Sequence, residues 1–192
     1  MYTFKNFTTL ASYEIKHVFH LRNHPSVQEW MFNKNIITWE EHITFIVNLK
    51  NDHSKIYFYV LRNNEFIGVY SVNEMKNATG QGGFYISLDA KKKKLAFEFI
   101  YFCLEYVFQS TTIVKLHGLE SIANKNAFTL NQLFGFYSHL DSSFQKINGE
   151  YFRYGELTQD HFESIAVSHK IQKLLKFSKS ISYKFKEIRG LS

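Results

Sequence analysis

Short apolar runs and longer amphipathic stretches follow one another along the chain, which predicts a domain that combines strands with helices. The runs rich in aromatic and β-branched residues predict strands. They are Phe4–Leu10, Ile56–Leu61, Phe66–Val72, Gly83–Leu88, Thr111–Leu119, Phe136–Leu140, Phe144–Ile147 and Tyr151–Leu157. Asn63-Asn64 and Asn148-Gly149 are turn signals that join consecutive runs into hairpins. The polar, glycine-containing stretch Met75–Gly82 predicts a loop.

Helical spacing of apolar residues predicts helices between these runs. Ser12 is the predicted N-cap of the first helix, and Pro25 ends it and starts a short second one. Thr38, followed three residues later by Glu41, has the capping-box pattern and opens the third. The later helices are predicted over Leu95–Phe108, over Asn124–Leu133 with Gly135 as its stop, and from Asp160 onward.

This order of elements predicts an α/β (α+β) fold, with a mixed, mostly antiparallel central sheet flanked by helices. The plausible boundary lies near Asp160, which divides the chain into a domain over residues 1–160 and a basic helical extension over residues 161–192. Lys170, Lys173 and Lys176 begin a series of basic residues in that extension. An interaction helix, for a dimer or for an acidic surface, would have this character.

Composition narrows the class of protein. The 192 residues are 45% hydrophobic and 18% aromatic, which is typical of a globular domain. The net charge of +6 suits an anionic partner. We find no nucleic-acid-binding module, so we expect the protein not to bind nucleic acid. No apolar run reaches the ~18–20 residues of a membrane span, and the N-terminus lacks a signal-peptide pattern, so we expect a cytoplasmic protein. The single Cys103 is expected to be a small buried hydrophobe.

The stretch Gly82–Phe108 has the order strand, basic loop, helix, and the loop contains Lys91–Lys94. A helix N-terminus after a strand can bind an anion through backbone N–H groups, although a solvated lysine run is an alternative. Arg22 suits phosphate recognition, and His42 could donate to a phosphate or act as a base. Glu120, Glu74 and Asn73 are candidates from strand ends, and Tyr85 is a further candidate. A strand-end carboxylate can serve as a general base, although a solvated carboxylate is the alternative. The histidines lack metal-ligand spacing, so we expect no metal site.

Several motifs resemble the GNAT N-acetyltransferase superfamily. Asn124-x-x-Ala127-x-x-Leu130 followed by Gly135-Phe136 is similar to its N-x-x-A-x-x-L-Y-x-x-x-G-F segment. Further segments resemble, in order, the sugar-nucleotide N-acetyltransferases of pseudaminic acid biosynthesis, the PseH type. They are Arg22-Asn23-His24-Pro25, Trp30-Met31, Glu41-His42, Tyr57-Phe58, Ile67-Gly68-Val69, Gly83-Phe84-Tyr85-Ile86 and Asn148-Gly149-Glu150-Tyr151.

The resemblance implies acetyl-CoA as the donor and the 4-amino group of a UDP-linked 4-amino-4,6-dideoxy sugar as the acceptor, in a pathway that feeds flagellin glycosylation. Arg22 and His42 would meet the nucleotide phosphates, and Glu120 would act as a base through water. The acceptor site would be lined by Ser71, Asn73, Glu74 and Tyr85, with Ser71, Glu120 and Asn131 as the catalytic set. The cofactor would be bound by Ile86, Ser87, Leu88, Lys91, Lys92, Lys93, Lys94, Leu95, Ala96, Asn124 and Asn131.

Two departures from the family pattern bear on the chemistry. Lys94 and Ala96 occupy places where the superfamily's loop usually has glycines, so Lys94 must project outward. Asn131 replaces the usual tyrosine that protonates the leaving thiolate, and an amide cannot act as a proton donor of matched pKa. Two other functions therefore stay open: a Rim-type protein N-terminal acetyltransferase, and a degenerate module that binds without catalysis. The sequence also leaves open whether the chain forms a homodimer.

Overall fold

A seven-stranded sheet forms the centre of the computed structural model, which describes residues 1–136 and 144–177. Its strands are β1 (Tyr2–Asn6), β2 (Ile56–Arg62), β3 (Glu65–Lys76), β4 (Thr79–Ile86), β5 (Lys115–Ser121), β6 (Phe144–Ile147) and β7 (Glu150–Thr158). Their order in the sheet is β1-β2-β3-β4-β5-β7-β6, and every neighbouring pair is antiparallel except β4 and β5. The predicted mixed, mostly antiparallel sheet is confirmed.

Eight helices are present in the described residues. They are α1 (Ser12–Arg22), α2 (Pro25–Gln28), α3 (Trp39–Asn48), α4 (Leu88–Lys92), α5 (Ala96–Ser110), α6 (Lys125–Leu133), α7 (Gln159–Ala166) and α8 (169–177). The capping box of Thr38 and Glu41 and the Pro25 start are present as predicted. Ser12 is not the N-cap of α1. That position belongs to Ala11, whose N–H donates to the Glu14 carboxylate at 2.9 Å.

Three two-residue turns connect the antiparallel hairpins, and all have positive φ at both residues. Asn63-Asn64 and Asn148-Gly149 are the turns that the sequence predicts. The third, Asn77-Ala78, joins β3 to β4 inside the stretch predicted to be a loop. Alanine rarely takes the left-handed conformation, so the sequence carries no usual turn signal there. The prediction of a loop over Met75–Gly82 is therefore wrong.

The first strand and the fourth both end earlier than predicted, because a polar side chain caps the next turn. Asn6 accepts a hydrogen bond from the Thr8 N–H at 3.0 Å and starts a 3-10 turn over Phe7–Thr9. Ser87 accepts from the Ala90 N–H at 3.2 Å and starts α4. The predicted basic loop Lys91–Lys94 thus begins inside this short helix, and only Lys93 and Lys94 form a turn after it. The predicted strand Phe136–Leu140 falls largely outside the described residues.

Hydrophobic side chains pack on both faces of the sheet. Along β2, Phe58 and Val60 face the side covered by α5, whereas Tyr59 faces the side covered by α1 and α3. Cys103 of α5 is fully buried and is not in a disulfide, and burial raises the pKa of its thiol. These facts confirm its expected role as a small apolar residue.

The C-terminal helices of the described chain pack on the same core. Phe162 of α7 and Ile171 and Leu175 of α8 are buried in the cluster that contains α5. The basic side chains Lys170, Lys173 and Lys176 face solvent. The division of the chain at residue 160 stays a prediction, and residues 178–192 lie outside the described residues.

Lys94 has a φ of 54° at the junction of α4 and α5. The left-handed conformation costs a non-glycine residue roughly 1–2 kcal/mol, whereas glycine adopts it freely but loses more entropy on folding. We therefore expect Lys94→Gly to stabilise the protein by about 0.5–1 kcal/mol in urea unfolding. Lys94→Ala removes the same charge and keeps the Cβ, so it should bring no such gain. Equal stabilisation by both variants would assign the effect to charge instead of backbone conformation.

Candidate active site

A large cavity opens where two parallel strands separate. β4 and β5 pair only between Thr79–Gln81 and Lys115–His117. Beyond these residues β4 continues to Ile86 and β5 to Ser121, and the described pairing between them has ended. A cavity of about 1380 Å³ lies there, bounded also by residues of α1, α2, α3 and α6. A sheet that opens in this way exposes backbone groups inside a concave site.

The free edge of β4 offers hydrogen-bonding groups to this cavity. Ile86 lies opposite Gly68 of β3, and the next residue, Ser87, donates its N–H to the Ile67 carbonyl at 2.9 Å. Because bonded and non-bonded residue pairs alternate in an antiparallel ladder, Ile86 and Phe84 turn their backbone groups to the opposite edge. An extended ligand could therefore pair with β4 as an added strand.

Glu120 is a buried carboxylate on the facing strand, and it also lines the cavity. Its Oε2 accepts a hydrogen bond from Asn131 Nδ2 at 2.9 Å. Its Oε1 lies 3.5 Å from Nη1 of Arg153 on β7. The arrangement unites two residues of the predicted catalytic set, Glu120 and Asn131, and adds a cation that the sequence analysis did not identify.

Ser71 and Asn73 form a polar row on β3 with Tyr57 of β2. The Tyr57 hydroxyl donates to Asn73 Oδ1 at 2.6 Å, and Asn73 Nδ2 donates to Ser71 Oγ at 3.4 Å. Ser71 Oγ in turn donates to the Gly83 carbonyl at 3.3 Å. Burial raises the pKa of Tyr57, so the phenol stays protonated at neutral pH. The predicted acceptor residues Ser71 and Asn73 therefore belong to one fixed hydrogen-bonded row along the cavity.

Glu74 follows this row at an irregularity in the β3–β4 pairing. Its φ is 53°, and its side chain is largely exposed at the cavity rim. Its Oε2 lies 3.9 Å from Nε2 of His117. Bulges and left-handed residues often re-aim a side chain beside a functional site. Tyr85 also lines the cavity, and burial raises the pKa of its phenol.

Arg22 points its guanidinium into the opposite wall of the cavity. Nη2 donates to the Asn33 carbonyl at 2.7 Å, whereas Nη1 is buried and lacks a partner among the described residues. Burial lowers the pKa of Arg22, and the nearby Tyr85 and Tyr57 partly offset this effect. Because an uncompensated buried cation is costly, this site is suited to an anionic ligand.

His42 lies close to Arg22, packed between Phe19 and Trp39. Burial lowers its pKa, and Arg22 lowers it further, whereas a hydrogen bond to the Ile15 backbone opposes both. The ring is therefore neutral at pH 7. Its buried Nε2 has no partner among the described residues. With the ring proton directed to the Ile15 backbone, Nε2 is a hydrogen-bond acceptor suited to a hydroxyl group.

The predicted cofactor residues divide into two groups. Those that line the cavity are Ile86, Lys91, Ala96, Asn124 and Asn131. Those outside its lining are Ser87, Leu88, Lys92, Lys93, Lys94 and Leu95. Ser87 and Leu88 belong to the cap and first turn of α4, so they do not extend the free edge of β4. Lys94 is exposed and projects outward as expected.

The lysines and Asn124 also have structural contacts. Lys91 Nζ donates to the Ser26 carbonyl at 3.1 Å, and Lys93 pairs with Glu65. Asn124 caps α6 by accepting from the Ala127 N–H at 3.1 Å. The first turn of α5 begins without a side-chain cap. Ala96, its first residue, therefore presents a helix N-terminus to the cavity.

Tyr57 and Arg153 are site residues that the sequence patterns did not predict. Tyr57 was named only in a predicted strand and in the Tyr57-Phe58 segment of the resemblance, without a role, because strand patterns do not show which face a phenol occupies. Arg153 follows the Asn148-Gly149 turn, but its partner depends on the register between β5 and β7. In the described residues no group of three or more histidines, cysteines or carboxylates is placed to hold a metal. No described helix is long and apolar enough to cross a membrane.

Comparison with known proteins assigns this architecture to a family. The family model for the acetyltransferase (GNAT) domain matches residues 6–136. The chain belongs to the GNAT acetyltransferase family. It is 34% identical over 141 residues to the acetyltransferase PseH of Campylobacter jejuni subsp. jejuni serotype O:2. The alignment covers 68% of this chain and 86% of that protein. The predicted family and its acetyl-CoA-dependent acyl transfer are confirmed.

Solved structures show the same GNAT fold. The N-acetyltransferase PseH of Campylobacter jejuni, in complex with acetyl coenzyme A, has a TM-score of 0.63 at 24% identity over 83% of this chain and 99% of that chain. The spermidine N-acetyltransferase of Vibrio cholerae, in complex with CoA and spermine, has a TM-score of 0.70 at 18% identity over 84% of this chain and 98% of that chain. The predicted fold class is thereby confirmed.

Proposed function

We propose that this GNAT enzyme transfers the acetyl group of acetyl-CoA to the 4-amino group of a UDP-linked 4-amino-4,6-dideoxy sugar in pseudaminic acid biosynthesis. The relative named PseH and the motif order of the sequence support this assignment. The reaction uses acetyl-CoA, so we assign it to the cytoplasm. Nucleic acid has no part in it, and a homodimer stays a prediction that sedimentation analysis would test.

The observation that carries the acceptor assignment is the unpartnered Nη1 of Arg22. A half-buried guanidinium with an unpartnered nitrogen fits a phosphate group, because phosphate oxygens accept charge-assisted hydrogen bonds from arginine. The neutral Nε2 of His42 would accept from a hydroxyl of the nucleotide or the sugar. Together they favour a nucleoside diphosphate acceptor over a peptide amine, because both carry an ammonium group but only the first also offers a phosphate to Arg22.

The donor would lie along β4 and α5. The pantetheine arm can pair with the free edge at Phe84 and Ile86, and the pyrophosphate can lie at the N-terminus of α5 beside Lys91, because helix N-termini favour anions. Lys92 and Lys94 are outside the cavity lining, but their charges would still attract the cofactor. This placement puts the thioester near the start of the open edge, between β4 and Glu120.

The chemistry would be a direct transfer. Glu120 takes a proton from the acceptor ammonium through a water molecule, and the free amine attacks the thioester carbon. Backbone N–H groups of the β4 edge stabilise the oxyanion. The C–S bond then breaks, the CoA thiolate leaves, and the nitrogen of the new amide releases its second proton to water. A thiol of pKa ~8.5 can leave without a general acid and take its proton from water, which is consistent with Asn131 in place of a tyrosine.

The decisive experiment is a turnover assay with acetyl-CoA and three acceptors: the UDP-4-amino sugar, spermidine, and a peptide with a free N-terminus. We expect CoA release and an N-acetylated product, identified by mass spectrometry, for the nucleotide sugar. Preferred acetylation of the peptide would favour the Rim-type function. Preferred acetylation of spermidine would favour a polyamine acetyltransferase. Absence of acetyl-CoA binding in calorimetry would instead indicate a non-catalytic module.

A further inference from the structure

We propose that Arg153 is a positioning residue for acetyl transfer: its guanidinium keeps the Glu120 carboxylate ionised and fixed in orientation at the start of each catalytic cycle. The inference rests on the proposed function, in which Glu120 is the base. Arg153 does not contact the reacting atoms in this scheme, and it acts through Glu120.

The register of the sheet brings the two residues together. Glu120 of β5 lies directly opposite Arg153 of β7, and the two side chains meet on one face with Nη1 3.5 Å from Oε1. Glu120 is only 6% exposed. Burial alone favours the protonated form of a carboxyl group, and a nearby cation favours the ionised form. Arg153 therefore favours the ionised Glu120 carboxylate, which is the form that can accept a proton.

Two aromatic rings hold the guanidinium in place. Its Cζ lies 3.7 Å from the ring centroid of Phe128 on α6 and 5.8 Å from that of Phe144 on β6. Planar guanidinium groups stack well on aromatic faces. The charge is thus fixed by β6, β7 and α6 together, and a flexible surface cation would not supply the same constant field.

The second carboxylate oxygen is held by a neutral group. Asn131 of α6 donates to Oε2 at 2.9 Å, so the charge facing Glu120 from β7 is Arg153 and the group facing it from α6 is uncharged. The carboxylate is therefore held at both oxygens, at Oε1 by Arg153 and at Oε2 by Asn131.

The test is the pH dependence of kcat/KM for the acceptor at saturating acetyl-CoA. Arg153→Met removes the charge and keeps the apolar stem. We expect the acidic limb of this variant's pH profile to lie about one pH unit or more above that of the wild type. The loss at neutral pH should be recovered at higher pH. Arg153→Lys should retain most of the wild-type profile. The control Lys146→Met removes a cation over the Tyr151 ring on the same hairpin and should change nothing.

A second measurement separates this inference from the proposed function. The side-chain carboxyl carbons are labelled with ¹³C, and the Glu120 signal is assigned by its loss in Glu120→Gln. Arg153→Met and the second neutral variant Arg153→Gln should both titrate Glu120 at higher pH than the wild type. An unchanged titration overturns the role of Arg153. A wild-type protein that acetylates no nucleotide sugar overturns the proposed function, while this titration still decides the role of Arg153.

Discussion

Glu120→Gln is expected to lower kcat by about 10²–10⁴-fold, the usual contribution of a general base. The amide has the same shape, and its oxygen can still accept the hydrogen bond from Asn131, so the cavity should keep its form. It cannot take a proton from the acceptor ammonium. Steady-state kinetics should therefore show a loss in kcat with a nearly unchanged KM for acetyl-CoA, because the proposed cofactor site lies along β4 and α5.

Glu74→Gln provides the matched control for this experiment. Glu74 is a carboxylate on the same cavity, but its side chain is 72% exposed at the rim. Its amide variant should reduce kcat less than Glu120→Gln does. The reverse order would move the role of base to Glu74. Thermal unfolding of both variants is needed as well, because Glu120→Gln leaves Arg153 without its carboxylate, and a loss of folded protein would also reduce the rate.

The general form of the site could be predicted from the sequence, but its contacts could not. The strand-end position of Glu120 indicated a candidate base, and helical spacing put Asn131 inside α6. Their hydrogen bond requires α6 to pack over β5, which no local pattern encodes. The ion pair with Arg153 depends on the register of β5 against β7, and a shift of one residue would turn Arg153 to the other face.

Errors in the predicted fold have local physical causes. The β3–β4 turn was missed because Ala78 takes a left-handed conformation that usually calls for glycine or asparagine. The end of β4 was misplaced because Ser87 can serve as the last strand residue or as a helix cap, and the choice depends on its hydrogen bond to Ala90. Lys94 stands where the family usually has a loop glycine, and it adopts the left-handed φ itself.

Arg22→Met is expected to raise the KM for the UDP-linked acceptor by about 10- to 100-fold. A hydrogen bond to a charged group contributes roughly 1.5–3 kcal/mol, and each 1.4 kcal/mol is tenfold in affinity. The apolar replacement keeps the length of the stem and removes the unpartnered donor that we assign to phosphate. Calorimetry should find the Kd for acetyl-CoA unchanged. The KM of Arg22→Lys for this acceptor should lie between those of the wild type and Arg22→Met, because lysine keeps the charge but lacks the planar guanidinium.

The acceptor itself supplies the sharpest control for this variant. With the free 4-amino sugar, which lacks the nucleotide diphosphate, Arg22 has no phosphate to bind, so wild type and Arg22→Met should have equal kcat/KM. The effect of the substitution should therefore depend on the diphosphate and vanish without it. An equal loss with both acceptors would mean that Arg22 supports the cavity wall through the Asn33 carbonyl. In that case the anion-binding role would have to be assigned elsewhere in the cavity.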